Sequence, residues 1–129
     1  MIDTPGLQIE TSKSQGIPVV MAEGDVDLST KDVLHEALVK ACGIADRPGH
    51  VVVDLRQVPF IDSAGLSLLV EVRKAYQPEC RLAVVIDRGT QPERVFRLGR
   101  FETFFTVRYS MDDLLAELTN VGKNLSEEG

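Results

Sequence analysis

Three consecutive valines, Val51–Val52–Val53, followed by Asp54 and Leu55, constrain this chain more than any other stretch. A short, unbroken β-branched run reads as a strand buried on both faces, which requires a sheet with cover on both sides. Beyond Arg56–Ile61 the apolar period changes, and Gly65, Leu69, Val72 and Tyr76 fall on one face of a helix. Between strand and helix stand Asp62 and Ser63. Either can be the N-cap, because a short side-chain oxygen accepts from the unpaired N–H groups of a first turn. A helix start also favours anions, so the fold should tolerate a phosphate on Ser63.

The rest of the chain fits around this unit. Leu7, Ile9 and Thr11 alternate with polar residues as a half-buried strand. Ser12 to Gly16 reads as a turn and Ile17 to Ala22 as a second strand, giving an opening hairpin. Gly24–Asp25–Val26–Asp27 ends that strand. Ser29 with Asp32 matches a capping box that uses Asp in place of Glu, ahead of a helix carrying Leu34, Ala37, Leu38 and Ala41 to about Cys42. Gly43 to His50 reads as a loop. After the central helix, broken by Pro78–Glu79, Arg81 to Ile86 is another buried strand. Pro92 opens a short helix with Val95, Phe96 and Leu98, stopped at Gly99. Phe104 to Val107 is the expected last strand. Ser110 caps a final helix with Leu114, Leu115 and Leu118 inward and Asp112 and Asp113 at its positive end.

Strands that alternate with helices imply right-handed crossovers onto a mainly parallel sheet. The fold class is therefore α/β: one domain over residues 1–120, a mixed, mainly parallel sheet opened by an antiparallel hairpin, with about four helices. Residues 121–129 are expected to form a disordered tail. This topology places the loops after Ala22 and after Leu55 at the same end of the sheet, where α/β folds carry their sites.

Composition excludes several functions. The 129 residues carry a formal net charge of -6, against the clustered Lys and Arg that a nucleic-acid partner demands. The longest apolar runs, such as Leu82–Ile86, are too short to span a bilayer, and the first residues have neither a basic nor an apolar leader region, so a cytoplasmic location is expected. The two cysteines, Cys42 and Cys80, are then expected as thiols. With two histidines in no ligand-like spacing, neither a metal nor a cofactor is expected. No Gly-x-Ser-x-Gly elbow surrounds Ser63, no phosphate-binding Gly-x-x-x-x-Gly-Lys loop exists, and nothing in the sequence brings His35 or His50 to Ser63 as a base. Catalysis by this chain is not expected.

The strand Val51–Leu55, the segment Val58–Pro59–Phe60–Ile61 and the motif Asp62–Ser63–Ala64–Gly65–Leu66 together resemble the STAS domain, and within it the bacterial anti-sigma factor antagonists. Gly24–Asp25–Val26–Asp27 resembles that family's Gly-acidic-apolar-Asp motif. Leu98–Gly99 with Phe101 and Phe104–Phe105 resembles a later Leu- and Gly-containing stretch, and the likeness covers roughly Leu7 to Leu118. The resemblance implies a phosphorylatable binding protein without catalysis. The unphosphorylated form binds an anti-sigma factor that is itself a serine kinase and supplies the ATP, freeing the sigma factor. Phosphorylation switches binding off, and a serine phosphatase resets it. Carried over residue by residue, Ser63 is the phosphoacceptor, and Asp25, Asp27, Asp62, Ser63, Ala64, Gly65 and Leu66 form the partner surface. Ala64 stands where many relatives have a second hydroxyl residue, and the loop from Gly43 to Gly49 reads as longer than in such relatives.

Plainer readings stand beside these. Ser63 and Asp62 can be helix caps only, Asp27 a turn residue or part of the next helix's cap, and Asp25 a solvated loop charge. Val26, Leu28, Ile61 and Leu66 fit either an apolar binding surface or the core. Arg88, Arg94, Arg97 and Arg100 fit a solvated basic face or an anion site. A STAS subunit of a membrane transport complex and a stress-signalling scaffold component are the alternative functions.

Overall fold

The computed structural model describes the backbone of residues 6–46 and 48–128 and the side chains of residues 6–46 and 48–119. A hairpin of β1 (Leu7–Ser14) and β2 (Ile17–Gly24) leads into α1 (Lys31–Ile44), β3 (Gly49–Gln57), α2 (Ser63–Tyr76), β4 (Cys80–Val85), α3 (Gln91–Leu98), β5 (Thr106–Arg108) and α4 (Met111–Glu128). The five strands lie in sequence order in one sheet, with β1 antiparallel to β2 and every later pair parallel. This is the expected α/β architecture.

Burial on both faces of β3 follows from its alternation. Val51, Val53 and Leu55 join the core beneath α1, α2 and α3 with Leu34, Leu38, Leu69, Val72 and Phe96. Val52 points the other way, into a smaller cluster with Val19, Ala83, Val85, Leu114 and Leu115 beneath α4. Asp54 shares that second face and is buried, which its ion pair permits: Arg56 holds both carboxylate oxygens, through Nε at 3.0 Å and Nη2 at 2.9 Å.

Several boundaries differ from the sequence reading. The hairpin turn is only Gln15–Gly16, both at positive φ, and β1 runs on through Ser14 because strand pairing persists to Ser14↔Ile17. Helix α1 reaches Ile44 and β3 begins at Gly49, so the connection expected over Gly43–His50 narrows to residues 45–48. Phe104 and Phe105 are not in the last strand. Phe101–Thr103 form a 3-10 turn that brings the Phe101 and Phe105 rings within 5.6 and 6.3 Å of Phe96, and β5 starts afterwards at Thr106. The backbone of α4 is helical to Glu128, past Asn120 where the sequence placed its end and through most of the expected tail; the side chains beyond residue 119 lie outside the described residues.

His50 supplies a pH-dependent contribution to stability. It is half-buried on β3 beside Arg81 of β4, and burial first, then the Arg81 charge, push its pKa below the ordinary 6.5 against a smaller opposing pull from Glu117. The unfolded chain therefore takes up a proton near pH 6.5 that the folded chain refuses, and stability falls as pH drops through that value. Denaturant midpoints measured across this window should decline toward acid for the wild type and flatten in His50→Gln; parallel slopes would refute the assignment.

Candidate functional site

Two loops that leave the C-terminal ends of β2 and β3 are stitched together. Val26 and Ile61 form an isolated parallel bridge, with Val26 N–H donating to the Phe60 carbonyl at 2.9 Å and Asp62 N–H to the Val26 carbonyl at 3.1 Å. The bridge sets Asp27 beside Asp62 in register, so the acidic loop and the Asp-Ser motif do share one end of the sheet. Gly24 makes the turn possible: its φ is +116°, and a Cβ there would strike the Gly6 carbonyl. A register shift between Met21 and Glu23 bends β2 as it enters the loop.

Asp62 is the N-cap of α2. Its Oδ1 accepts from the N–H groups of Ala64 at 2.9 Å and Gly65 at 3.0 Å, an arrangement that contributes about 0.5–2 kcal/mol in comparable helices. Ser63 is the first helical residue, exposed, and its side chain makes no hydrogen bond among the described residues. Of the two candidate caps it is Asp62 that caps, which leaves the Ser63 hydroxyl available. One expectation is corrected here. Two first-turn N–H groups, those of Ala64 and Gly65, already serve Asp62, so fewer backbone donors than expected face a phosphate on Ser63, and exposure to water accommodates much of its charge.

Asp27 organises the turn that leads into α1, and the expected Ser29–Asp32 box does not form: the N-cap is Thr30, with no side-chain cap bond. Asp27 Oδ1 accepts from Ser29 N–H at 3.0 Å, Ser29 Oγ at 2.8 Å and Thr30 N–H at 3.1 Å, while buried Thr30 Oγ1 accepts from Asp27 N–H at 3.0 Å and donates to the Asp25 carbonyl at 2.9 Å. The Ser29 hydroxyl above all holds the Asp27 carboxyl below the ordinary aspartate range, so it is ionised at neutral pH. Asp32 is exposed and, among the described residues, pairs with Lys31.

A third element reaches the same place. The carboxamide of Gln91, at the start of α3, accepts from Ile61 N–H and donates to the Ile61 carbonyl, both at 2.9 Å. Ile61 is 1% exposed, so without Gln91 two buried backbone groups would lack partners, at about 1–3 kcal/mol each. Sequence reasoning missed Gln91, and no local pattern could have found a contact to a backbone thirty positions away. It also missed Thr30 and Phe60.

The surface at this end combines acid and apolar groups. Asp25 is exposed, Asp27, Asp62, Ala64 and Leu66 are half-buried and Gly65 is buried. Val26 and Ile61 belong to the core, whereas Leu28 is 72% and Phe60 43% exposed, one on each bridged loop. Beside Ser63 a groove of about 420 Å³ runs between α2 and the 3-10 turn, lined by Ser63, Leu66, Ser67, Val70, Lys74 and Phe101. Elsewhere, exposed His35 faces Ala64 and Ser67 across a small cleft without a hydrogen bond to Ser63, and His50 lies on β3. The arginines do not act as one face: Arg97 pairs with Glu93 at 2.9 Å and Arg88 lies 3.8 Å over the Tyr109 ring. Among the described residues no group of His, Cys, Asp or Glu is arranged to hold a metal ion, and no helix is long and apolar enough to cross a membrane.

The STAS domain family matches residues 8–114, and the chain belongs to that family. Among curated proteins it is similar to the anti-sigma-F factor antagonist RsfB of Mycobacterium tuberculosis, with 28% identity over 109 residues that cover 84% of this chain and 87% of that one. Among solved structures it superposes on an anti-sigma factor antagonist from Mycobacterium paratuberculosis with a TM-score of 0.80 at 24% identity, covering 92% of this chain and 99% of the other. SpoIIAA, an anti-sigma factor antagonist solved in its unphosphorylated form, gives 0.68 at 10% identity over 88% and 97%; the phosphorylated form from Bacillus gives 0.60 at 11% over 85% and 98%. At these identities the structural likeness shows the fold alone.

Proposed function

We propose that this chain is an anti-sigma factor antagonist whose binding is switched by phosphorylation of Ser63. In this reading the unphosphorylated protein engages an anti-sigma factor that is also a serine kinase and so releases the sigma factor to activate transcription. The observation that carries the proposal is the exposed, unengaged Ser63 hydroxyl at the start of α2, with the Asp25–Asp27 loop held against it by the Val26–Ile61 bridge. The names of the curated relative and the structural neighbours support it, as does the existence of SpoIIAA in both phosphorylation states.

The chemistry is group transfer performed by the partner. The Ser63 oxygen bonds to the γ-phosphorus of the ATP that the kinase holds, the bond from that phosphorus to ADP breaks, and the hydroxyl proton passes to a base on the kinase. A serine phosphatase reverses the switch by hydrolysis. The chain contributes a shaped surface and an acceptor, not catalysis, and works in the cytoplasm without entering a membrane or binding nucleic acid.

An affinity capture from the source cell's lysate tests the proposal, with wild type, Ser63→Ala and Ser63→Asp as baits. A kinase-like ATPase retained by wild type and Ser63→Ala but lost from Ser63→Asp is the expected result. Retention of one set of transporter or scaffold proteins by all three baits would reduce Ser63 to part of a helix start and overturn the switch.

A further inference from the structure

We propose that Gln91 is a positioning residue for phosphoryl transfer to Ser63, an inference that rests on the switch reading above. Ser63 makes no side-chain hydrogen bond among the described residues, so its hydroxyl is placed by the backbone that precedes it. That backbone, Phe60–Ile61–Asp62, is held from two sides. Val26 binds the Phe60 carbonyl and the Asp62 N–H, and Gln91 binds the N–H and the carbonyl of Ile61 between them.

Gln91 stands where a neighbouring strand would otherwise be. The β3–β4 pairing ends at Asp54↔Val85, before the segment reaches Ile61. A carboxamide presents one acceptor and a donor side by side, as a peptide group does, and so completes the ladder from a side chain. Its own base is firm. Pro92 follows it in the first turn of α3, Thr90 Oγ1 accepts from Glu93 N–H at 3.4 Å, and Glu93 Oε1 accepts from Gly89 N–H at 3.3 Å. Glu93 is tied in turn to Arg97. The acceptor segment is therefore fixed between β2 and α3, with Ser63 immediately after it.

This matters because phosphoryl transfer depends on placing the attacking oxygen in line with the leaving group, and a misplacement of about 1 Å can cost roughly a hundredfold in rate. A glutamate at this position keeps the acceptor for Ile61 N–H but sets a charge against the Ile61 carbonyl. A methionine keeps the length and loses both bonds. Either change should loosen the segment without emptying the core.

The test uses the full chain as wild type, Gln91→Glu, Gln91→Met and Ser63→Ala, with the kinase captured as above and ATP. Backbone amide exchange is followed for Asp62, Ala64 and Gly65 and, as references, for Val53 and Val84 in the central strands. In both Gln91 variants these three amides, of the cap and first turn of α2, should exchange at least about tenfold faster while the references hold. The kcat for phosphate incorporation at Ser63 should fall about tenfold or more, with KM changed by less than about threefold. Unchanged exchange at these amides would refute the clamp. Faster exchange with unaltered kcat would leave Gln91 a structural contact and overturn its positioning role. Wild type that takes no phosphate where Ser63→Ala also takes none refutes the switch itself, a failure distinct from either.

Discussion

Phosphorylated on Ser63, the protein is expected to keep its circular dichroism spectrum while its affinity for the anti-sigma factor kinase falls at least about a hundredfold. The fold should persist because Ser63 is exposed and its hydroxyl makes no hydrogen bond among the described residues, so the phosphate of the free protein remains in water. Affinity should fall because little at the helix start offsets the added charge, roughly 1.5 to 2 units. The Ala64 and Gly65 N–H groups already serve Asp62, and the bridge sets ionised Asp27 next to it. Against a surface fitted to a neutral hydroxyl, the phosphate would lose water beside two carboxylates, a cost of several kcal/mol when no countercharge is supplied. Each 1.4 kcal/mol is about a tenfold change, so a hundredfold loss requires only about 3 kcal/mol. Titration calorimetry on phosphorylated and unphosphorylated protein decides the matter. Equal affinities, or a phosphorylated sample that has lost its native spectrum, would contradict a switch made by local charge.

What the sequence disclosed about this site, and what it hid, divides along one physical line. Val51 to Leu55 could be read because burial on both faces leaves a continuous apolar run, and α2 could be read because its buried face recurs with helical spacing. The joint position of Asp27 and Asp62 followed from topology alone, since parallel strands deliver their following loops to one end. The details of capping did not follow. Ser29 and Asp32 match a capping pattern, yet the N-cap of α1 is Thr30 and Asp27 organises the turn before it, because an aspartate in a turn can gather several nearby N–H and O–H donors at once. Phe104 and Phe105 look like strand residues by composition, but they follow a 3-10 turn whose Phe101 packs on Phe96 and Phe104, with Phe105 also on Phe96. Gln91 left no trace at all. Its partner is a backbone rather than a side chain, so neither periodicity nor a motif records it.

The glycine of the Asp-Ser-Ala-Gly-Leu segment should behave opposite to a glycine elsewhere in a helix. Gly43, exposed in α1 with open space where a Cβ would go, should gain about 0.5–1 kcal/mol on replacement by alanine, the ordinary propensity effect. Gly65 has the same intrinsic gain available and should nevertheless lose. A Cβ there would lie 2.7 Å from Val26 Cγ1, 2.8 Å from Ile61 Cγ1 and 3.1 Å from the Val26 carbonyl oxygen. Neither neighbour can retreat easily. Val26 and Ile61 are 0% and 1% exposed, and their backbones carry the bridge that joins the two loops. Helix α2 must then lift away from the bridge or the bridge must break, so overpacking of about 1–3 kcal/mol should outweigh the propensity term in Gly65→Ala. Gly65→Val adds two methyl groups to the same contact and should reach the upper end or beyond, lowering the unfolding temperature by roughly 10 °C at this chain length. Thermal unfolding of Gly43→Ala, Gly65→Ala and Gly65→Val under one condition makes the comparison. Should Gly65→Ala rise alongside Gly43→Ala, the close approach of α2 to the bridged loops is not what demands glycine here. Should it fall while kinase binding weakens with it, the same contact that packs the helix also sets Ser63 in place.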